Sequence, residues 1–181
     1  MRGMTTAAPG RAPAFENATR VAVVAALSAT TMLFASLVSA YLVRRSFADW
    51  RPSPAWWPVV LLAFAFAASA GVEVGARGEG RRRRLGFMGL ALASLLYLAG
   101  ALAVIASIAS GEGGLEMPFN AFVALLLSVH VVHAILGGAF SAWILGNEGG
   151  ASENALVLAR LVTHFLTALL CAIVFILFGL R

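Results

Sequence analysis

Lysine is absent from this 181-residue chain, and all thirteen of its basic residues are arginine. Cysteine occurs once, at Cys171 in the middle of an apolar run, which excludes a disulfide and a cysteine-based metal site. Charged residues make up 12% of the chain against 61% apolar, too few for the surface of a soluble domain. The apolar runs do not alternate with polar residues, which excludes a membrane β-barrel and favours helices. No internal repeat is visible, which argues against an inverted-repeat transporter. No nucleophile–base pair, phosphate-binding loop or two-carboxylate arrangement is present either. As an isolated chain it reads as non-catalytic.

What remains is hydrophobic length. Five uncharged stretches approach or exceed the roughly 20 residues that a helix needs to cross a bilayer. The fold class expected is therefore an all-α integral membrane protein, a five-transmembrane-helix bundle. Residues 1–19 form an N-terminal tail and residues 20–181 a single membrane domain, with spans at about 21–43, 55–74, 85–109, 118–145 and 157–180. Val38-Ser39-Ala40 has the look of a signal cleavage site, but the apolar run before Arg44 exceeds a signal core of about 7–15 residues. The first span is therefore expected to stay in the chain. Threading the spans puts nine arginines on the side of the N-terminus and four on the other. The positive-inside rule then predicts a cytoplasmic N-terminus and a periplasmic C-terminus. On this reading Arg81, Arg82, Arg83 and Arg84 are interfacial anchors or lipid-headgroup contacts, not a nucleic-acid patch. Trp50, Trp56 and Trp57 gather in the loop expected outside, at the level where indoles suit the membrane interface.

Three histidines, His130, His133 and His164, are the only ones in the chain, and all lie inside these apolar runs. An ionisable group in hydrocarbon is expensive and marks either function or a packed polar site. His130 and His133 are three residues apart and share a helix face. At 1.5 Å per residue, His130 falls about 17 Å from the outer side, and His164 about 12 Å or less from the inner boundary. By this count His133 is the expected neighbour of His164. Haem ligation by His133 and His164 is one reading, and a non-haem metal site a poorer one, because no carboxylate is expected beside them. The favoured reading makes the histidines buried hydrogen-bonding groups that fix helix packing. Small residues at four-residue spacing, Ala67, Gly71 and Gly75 on the second span and Gly137 and Ser141 on the fourth, predict close helix approach. Glu73 and Arg77, at i and i+4, are expected to pair at the inner membrane edge. Arg44 and Arg45 read as interfacial anchors, with a grip on a lipid phosphate or a partner carboxylate as the lesser alternative. Thr30 and Thr31 are tolerable because a hydroxyl can bond its own helix's carbonyls.

Taken together, Met32–Ser46 (MLFASLVSAYLVRRS), Ser128–Gly138 (SVHVVHAILGG) and Thr163–Leu170 (THFLTALL) resemble segments of subunit III of the haem-copper oxidases. That family includes the cytochrome c and quinol oxidase subunits and the accessory subunits of nitric oxide reductases. The likeness runs from Phe15 onward, but its specific motifs are those of the first, fourth and fifth spans, with Tyr41, His130, His133, Gly137 and His164 as signature residues. The five-span form is similar to the last five helices of longer family members. The resemblance implies an accessory subunit of a bacterial respiratory terminal oxidase in the cytoplasmic membrane. Haem and copper then belong to partner subunits, with none in this chain. The implied partners are the catalytic subunit I, subunit II, other small subunits and phospholipid, and the implied roles are assembly, proton uptake and active-site stability. There are departures from the pattern: Thr30 stands where many members carry a buried glutamate, and Thr167 where many carry an aspartate. Outside this family, a di-histidine membrane cytochrome or a small transporter would fit the same spans.

Overall fold

Long apolar runs uninterrupted by proline give long helices, and the prolines within them, Pro13, Pro58 and Pro118, all sit in a first turn. The computed structural model describes residues 13–47, 55–111, 114–146 and 153–179. Among these the regular elements are helical: α1 (Pro13–Arg44), α2 (Trp57–Arg77), α3 (Gly80–Ser110), α4 (Pro118–Gly146) and α5 (Glu153–Val174). A short 3₁₀ turn, Gly114–Glu116, precedes α4, and a π-helical turn, Phe175–Gly179, extends α5. Even the shortest, α2 with 21 residues, measures about 31 Å and matches a hydrocarbon core of about 30 Å. All five are long and apolar enough to cross a membrane. The first helix begins at Pro13, well before residue 20, although its apolar span starts at Arg20. Expectations for residues 1–12, Trp50 and Arg51 lie outside the described residues.

Contacts fix the directions of the helices. Gly71 and Gly75 of α2 meet Leu90 and Phe87 of α3, and Leu61 meets Gly100, so this hairpin is antiparallel. On α5, Arg160 pairs with Glu73 and Thr167 with Ser69, so α5 runs antiparallel to α2. On α4, His130 meets Leu166 and Gly137 meets Val162, so α4 and α5 are antiparallel too. Contacts link α2 to α3, α3 to α4, α4 to α5 and α5 back to α2, a ring of four helices. Helix α1 lies outside this ring against α4 and α5, touching them with an edge that buries Thr30, Phe34 and Tyr41. Arg20 bonds Asn154 at one end of α1 and Tyr41 reaches Leu177 near the other, so α1 and α5 are parallel.

The core has two parts. Toward the α2–α3 turn it is rich in small residues, Ala68, Val72, Ala93, Ala155 and Ala159, packed with Phe87, Leu90 and Leu156. Toward the opposite end all five helices contribute, with Phe34, Tyr41, Tyr97, Phe119, Leu126 and Leu170 prominent. Trp57 and Phe119 both meet Phe178 edge-on there. The outside is as apolar as the inside. Val21, Met32, Leu95 and Leu136 are 63–72% exposed, the reverse of the polar surface a soluble bundle needs. This surface and the five long helices point to a multi-pass membrane protein.

The close approach expected of α2 is made by a slightly different set of residues. Gly71 and Gly75 do face α3, but Ala67 is exposed and Ala68 takes the buried place. The partner surface is Gly86, where an added Cβ would lie 2.2 Å from the Gly75 nitrogen. At the turn beyond, Gly80 has φ +47°, a left-handed conformation that glycine adopts without steric cost. Gly86→Ala should therefore force the α2–α3 backbones apart and lower stability by about 1–3 kcal/mol. Gly89, three residues on, has nothing within 4 Å of the same position. Gly89→Ala should be neutral, or stabilising by up to about 1 kcal/mol through helix propensity. Detergent unfolding of the two variants checks the contrast, and equal effects would contradict the packing described.

Candidate functional site

Two polar nodes tie the ring together, and the histidines divide between them. The first is built on His130, one of three buried polar side chains among the described residues. Its Nε2 lies 2.9 Å from the Leu166 carbonyl of α5 and its Nδ1 lies 2.6 Å from the Tyr97 hydroxyl of α3. A carbonyl only accepts, so Nε2 carries the proton, and in the neutral ring Nδ1 accepts from Tyr97. One side chain of α4 thus engages α3 and α5 at once. The Tyr97 and His130 rings also pack edge-on at 5.3 Å. At the next residue of α5, the Thr167 hydroxyl donates to the Ala65 carbonyl of α2 at 3.2 Å. That commits its only proton, so the Ser69 hydroxyl, 2.8 Å away, donates to Thr167.

The second node gathers around Glu73. Its Oε1 accepts from Arg160 Nε at 2.8 Å and from His164 Nε2 at 2.8 Å. Its Oε2 accepts from Arg160 Nη2 at 3.0 Å and Arg77 Nη2 at 2.8 Å. Four N–H groups fill the four lone-pair sites of one carboxylate, and Arg160 binds it in the two-pronged geometry that guanidinium favours. The expected Glu73–Arg77 pair is present, but only as the outer part of a cluster that also binds α5. Two expectations need correcting here. His164 has a carboxylate partner after all, and its neighbour is Glu73 of α2 rather than His133 of α4. His133 faces elsewhere: its Nδ1–H bonds the Val129 carbonyl of its own helix at 2.8 Å, and its ring meets Phe34 of α1 edge-on.

The other residues singled out in the sequence fall at the two ends or at packing contacts. Gly137 lets α5 approach, with Leu166 and Val162 at 3.2 and 3.3 Å from a Cβ placed there. Tyr41 is buried, and its hydroxyl donates to the Leu177 carbonyl at 3.4 Å, inside the π-helical turn. Arg44 stacks over the Phe47 ring, 4.9 Å from its centroid, while Arg45 continues the turn that ends α1. Arg81 and Arg82 are exposed in the first turn of α3, whereas Arg83 turns back to the Gly78 carbonyl. Thr30 and Thr31 bond the carbonyls of Ala26 and Leu27, as expected of hydroxyls in a span. Among the described residues no three His, Cys, Asp or Glu side chains converge.

Tyr97 and Arg160 escaped the sequence reading. In the sequence Arg160 carries a topological charge signal, and its i, i+4 spacing to His164, which puts both on one helix face, is the further clue. Tyr97 was legible by depth: it lies 13 residues before the end of α3, and His130 12 residues after the start of α4. Next to the Tyr97–His130 pair is a small cavity of about 50 Å³, also lined by Ser94, Gly137 and Gly138. Comparison with protein-family models, curated proteins and solved structures yields no match.

The Tyr97–His130 bond should be measurable as a coupling. Tyr97→Phe leaves a buried acceptor unpaired and His130→Leu leaves a buried hydroxyl unpaired, so each should destabilise by about 1–3 kcal/mol. The double variant should lose less than the sum of the singles, by about 0.6–1.7 kcal/mol, from the average to the maximum found for membrane hydrogen bonds. Unfolding of the four proteins in detergent closes the cycle, and strict additivity would mean that the bond contributes nothing.

Proposed function

We propose that this chain is an accessory subunit, similar to subunit III, of a bacterial haem-copper terminal oxidase. The observation that carries the reading is how its intramembrane polar groups are used. His130, in the segment resembling the family's His-x-x-His-x-x-x-Gly helix, spends both ring nitrogens on neighbouring helices. His164, in the segment resembling the final His-Phe motif, is spent on Glu73. Thr30 and Thr167, at positions where many family members have carboxylates, are buried and satisfied by helix carbonyls. A threonine hydroxyl cannot replace a carboxylate as a proton carrier, so proton handling at those two positions does not carry over from the family. What remains is support for assembly, lipid binding and stability of a catalytic subunit I that holds the haem and copper, together with subunit II and small subunits.

On this reading the chain lies in the bacterial cytoplasmic membrane, N-terminus inside and C-terminus in the periplasm. Arg81 and Arg82 then meet cytoplasmic headgroups, and Arg44 and Arg45 the periplasmic ones. The same role would serve a nitric oxide reductase. A di-histidine cytochrome fits the geometry poorly, because His133 and His164 are engaged with different helices. The cavity beside His130, about 50 Å³, is about a third of the ~150 Å³ that admits one benzene, and a porphyrin is far larger.

Purification of the tagged chain from its native membranes in mild detergent tests the proposal. A haem- and copper-bearing polypeptide should co-elute, and His133→Leu should lower the share of this chain on the complex more than the haem per complex. Two results would sink the reading: a Soret band stoichiometric with this polypeptide alone, or a stable homo-oligomer that moves a solute in liposomes.

A further inference from the structure

The Glu73 node is saturated on the carboxylate side but not on the cation side. Counting Arg77, Arg160 and Glu73, the cluster carries one net positive charge with His164 neutral. The Nη1 of Arg160 and the Nδ1 of His164 have no hydrogen bond among the described residues. Both side chains open outward from the α2–α5 seam, at 37% and 46% exposure. Their depth makes this costly. His164 lies 11 residues from Glu153 and 15 from Gly179 along the 27-residue span. With that span centred on a hydrocarbon core of about 30 Å, His164 sits about 11 Å below the surface and Arg160 about 5 Å. An imidazole is too short to snorkel that far, and Arg160 is clamped to Glu73 instead of reaching for water. A polar, net-positive face at this depth is normally turned to protein or to a water-filled space.

The geometry points to the α2–α5 face around Arg160 and His164 as the docking surface for a membrane helix of another polypeptide that presents a carboxylate to Arg160. Charge complementarity selects the occupant: one acid neutralises the cluster and gives the Nη1 donors an acceptor. Depth selects a protein over a lipid, since Arg160 is clamped to Glu73 below the surface instead of reaching up to the headgroup level where lipid phosphates lie, and His164 is deeper still. A second copy of this chain would bring another positive cluster to the first. The inference deepens the accessory-subunit reading, resting on it for the existence of a partner but not for the partner's identity.

A photo-crosslinking amino acid placed in the full chain, in native membranes, tests this surface. Phe66 (56% exposed) lies two turns from Glu73 on the same stripe of α2, and exposed Ala168 one turn from His164 on α5. Leu95, 63% exposed on α3, is the control. Positions 66 and 168 should give adducts with one heterologous polypeptide, several-fold above position 95, mapped to a membrane segment with an Asp or Glu within a turn or two. Changing that acid to Asn or Gln in the partner leaves this chain untouched and should cut both adduct yield and retention of this chain several-fold. Adducts with lipid only, with a second copy, or with a segment lacking an acid would overturn the inference, as would full retention after the partner's acid is removed. Lipid-only adducts alongside a co-purifying oxidase would sink this surface and spare the proposed function. An acidic partner helix in an assembly that holds no haem or copper at all would do the opposite.

Discussion

One carboxylate organises the α2–α3 end of this bundle. Glu73 is an acid in an otherwise uncharged stretch, and it persists there because four N–H groups from three side chains meet it. Two of those side chains belong to α5, so the bond sets the register of α2 against α5. The remaining ties follow along α5 in order. Thr167 meets Ser69 and the Ala65 carbonyl, and the Leu166 carbonyl meets His130, which passes the link to Tyr97 on α3. Backbone-to-backbone packing of Gly75 on Gly86 then closes the ring from α3 back to α2.

The division of labour between packing and polar bonds follows from the solvent. Lipid chains are as apolar as leucine, so burying a leucine between helices gains little. Close approach at small residues and satisfied polar groups must supply the specificity. That accounts for a surface as hydrophobic as the core, and for glycine and alanine lining the α2–α3 seam. It also limits what the polar groups are free to do. His130 and Thr167 are consumed in holding helices, whereas the Glu73 node keeps donors facing outward. The interior therefore reads as scaffold and the α2–α5 face as the place where the chain meets something else.

The helices were legible in the sequence because length and apolarity alone define a span: all five, and the shortness of the second, could be read directly. The importance of the histidines was legible for a similar reason, since a polar ring in hydrocarbon needs a partner. Their partners were not. A helix rotates freely in a sequence reading, so depth alone placed His164 beside His133, whereas the actual azimuth turns it to Glu73. Arg160 was hidden by being near enough to a helix end to pass for a loop charge. Tyr97 was hidden because a tyrosine in an apolar run passes for core. Gly86 carried no signal, since only the partner backbone of Gly75 shows why a side chain is excluded there.

The central claim is that Glu73 and Arg160 act as one unit joining α2 to α5. Thermal unfolding of the chain in its native assembly, with Glu73→Ala, Arg160→Ala and the pair together, tests it most directly. The account predicts that each single change lowers the midpoint, and that the double change lowers it no further than the worse single one. Losses that simply add would show two independent side chains and contradict it.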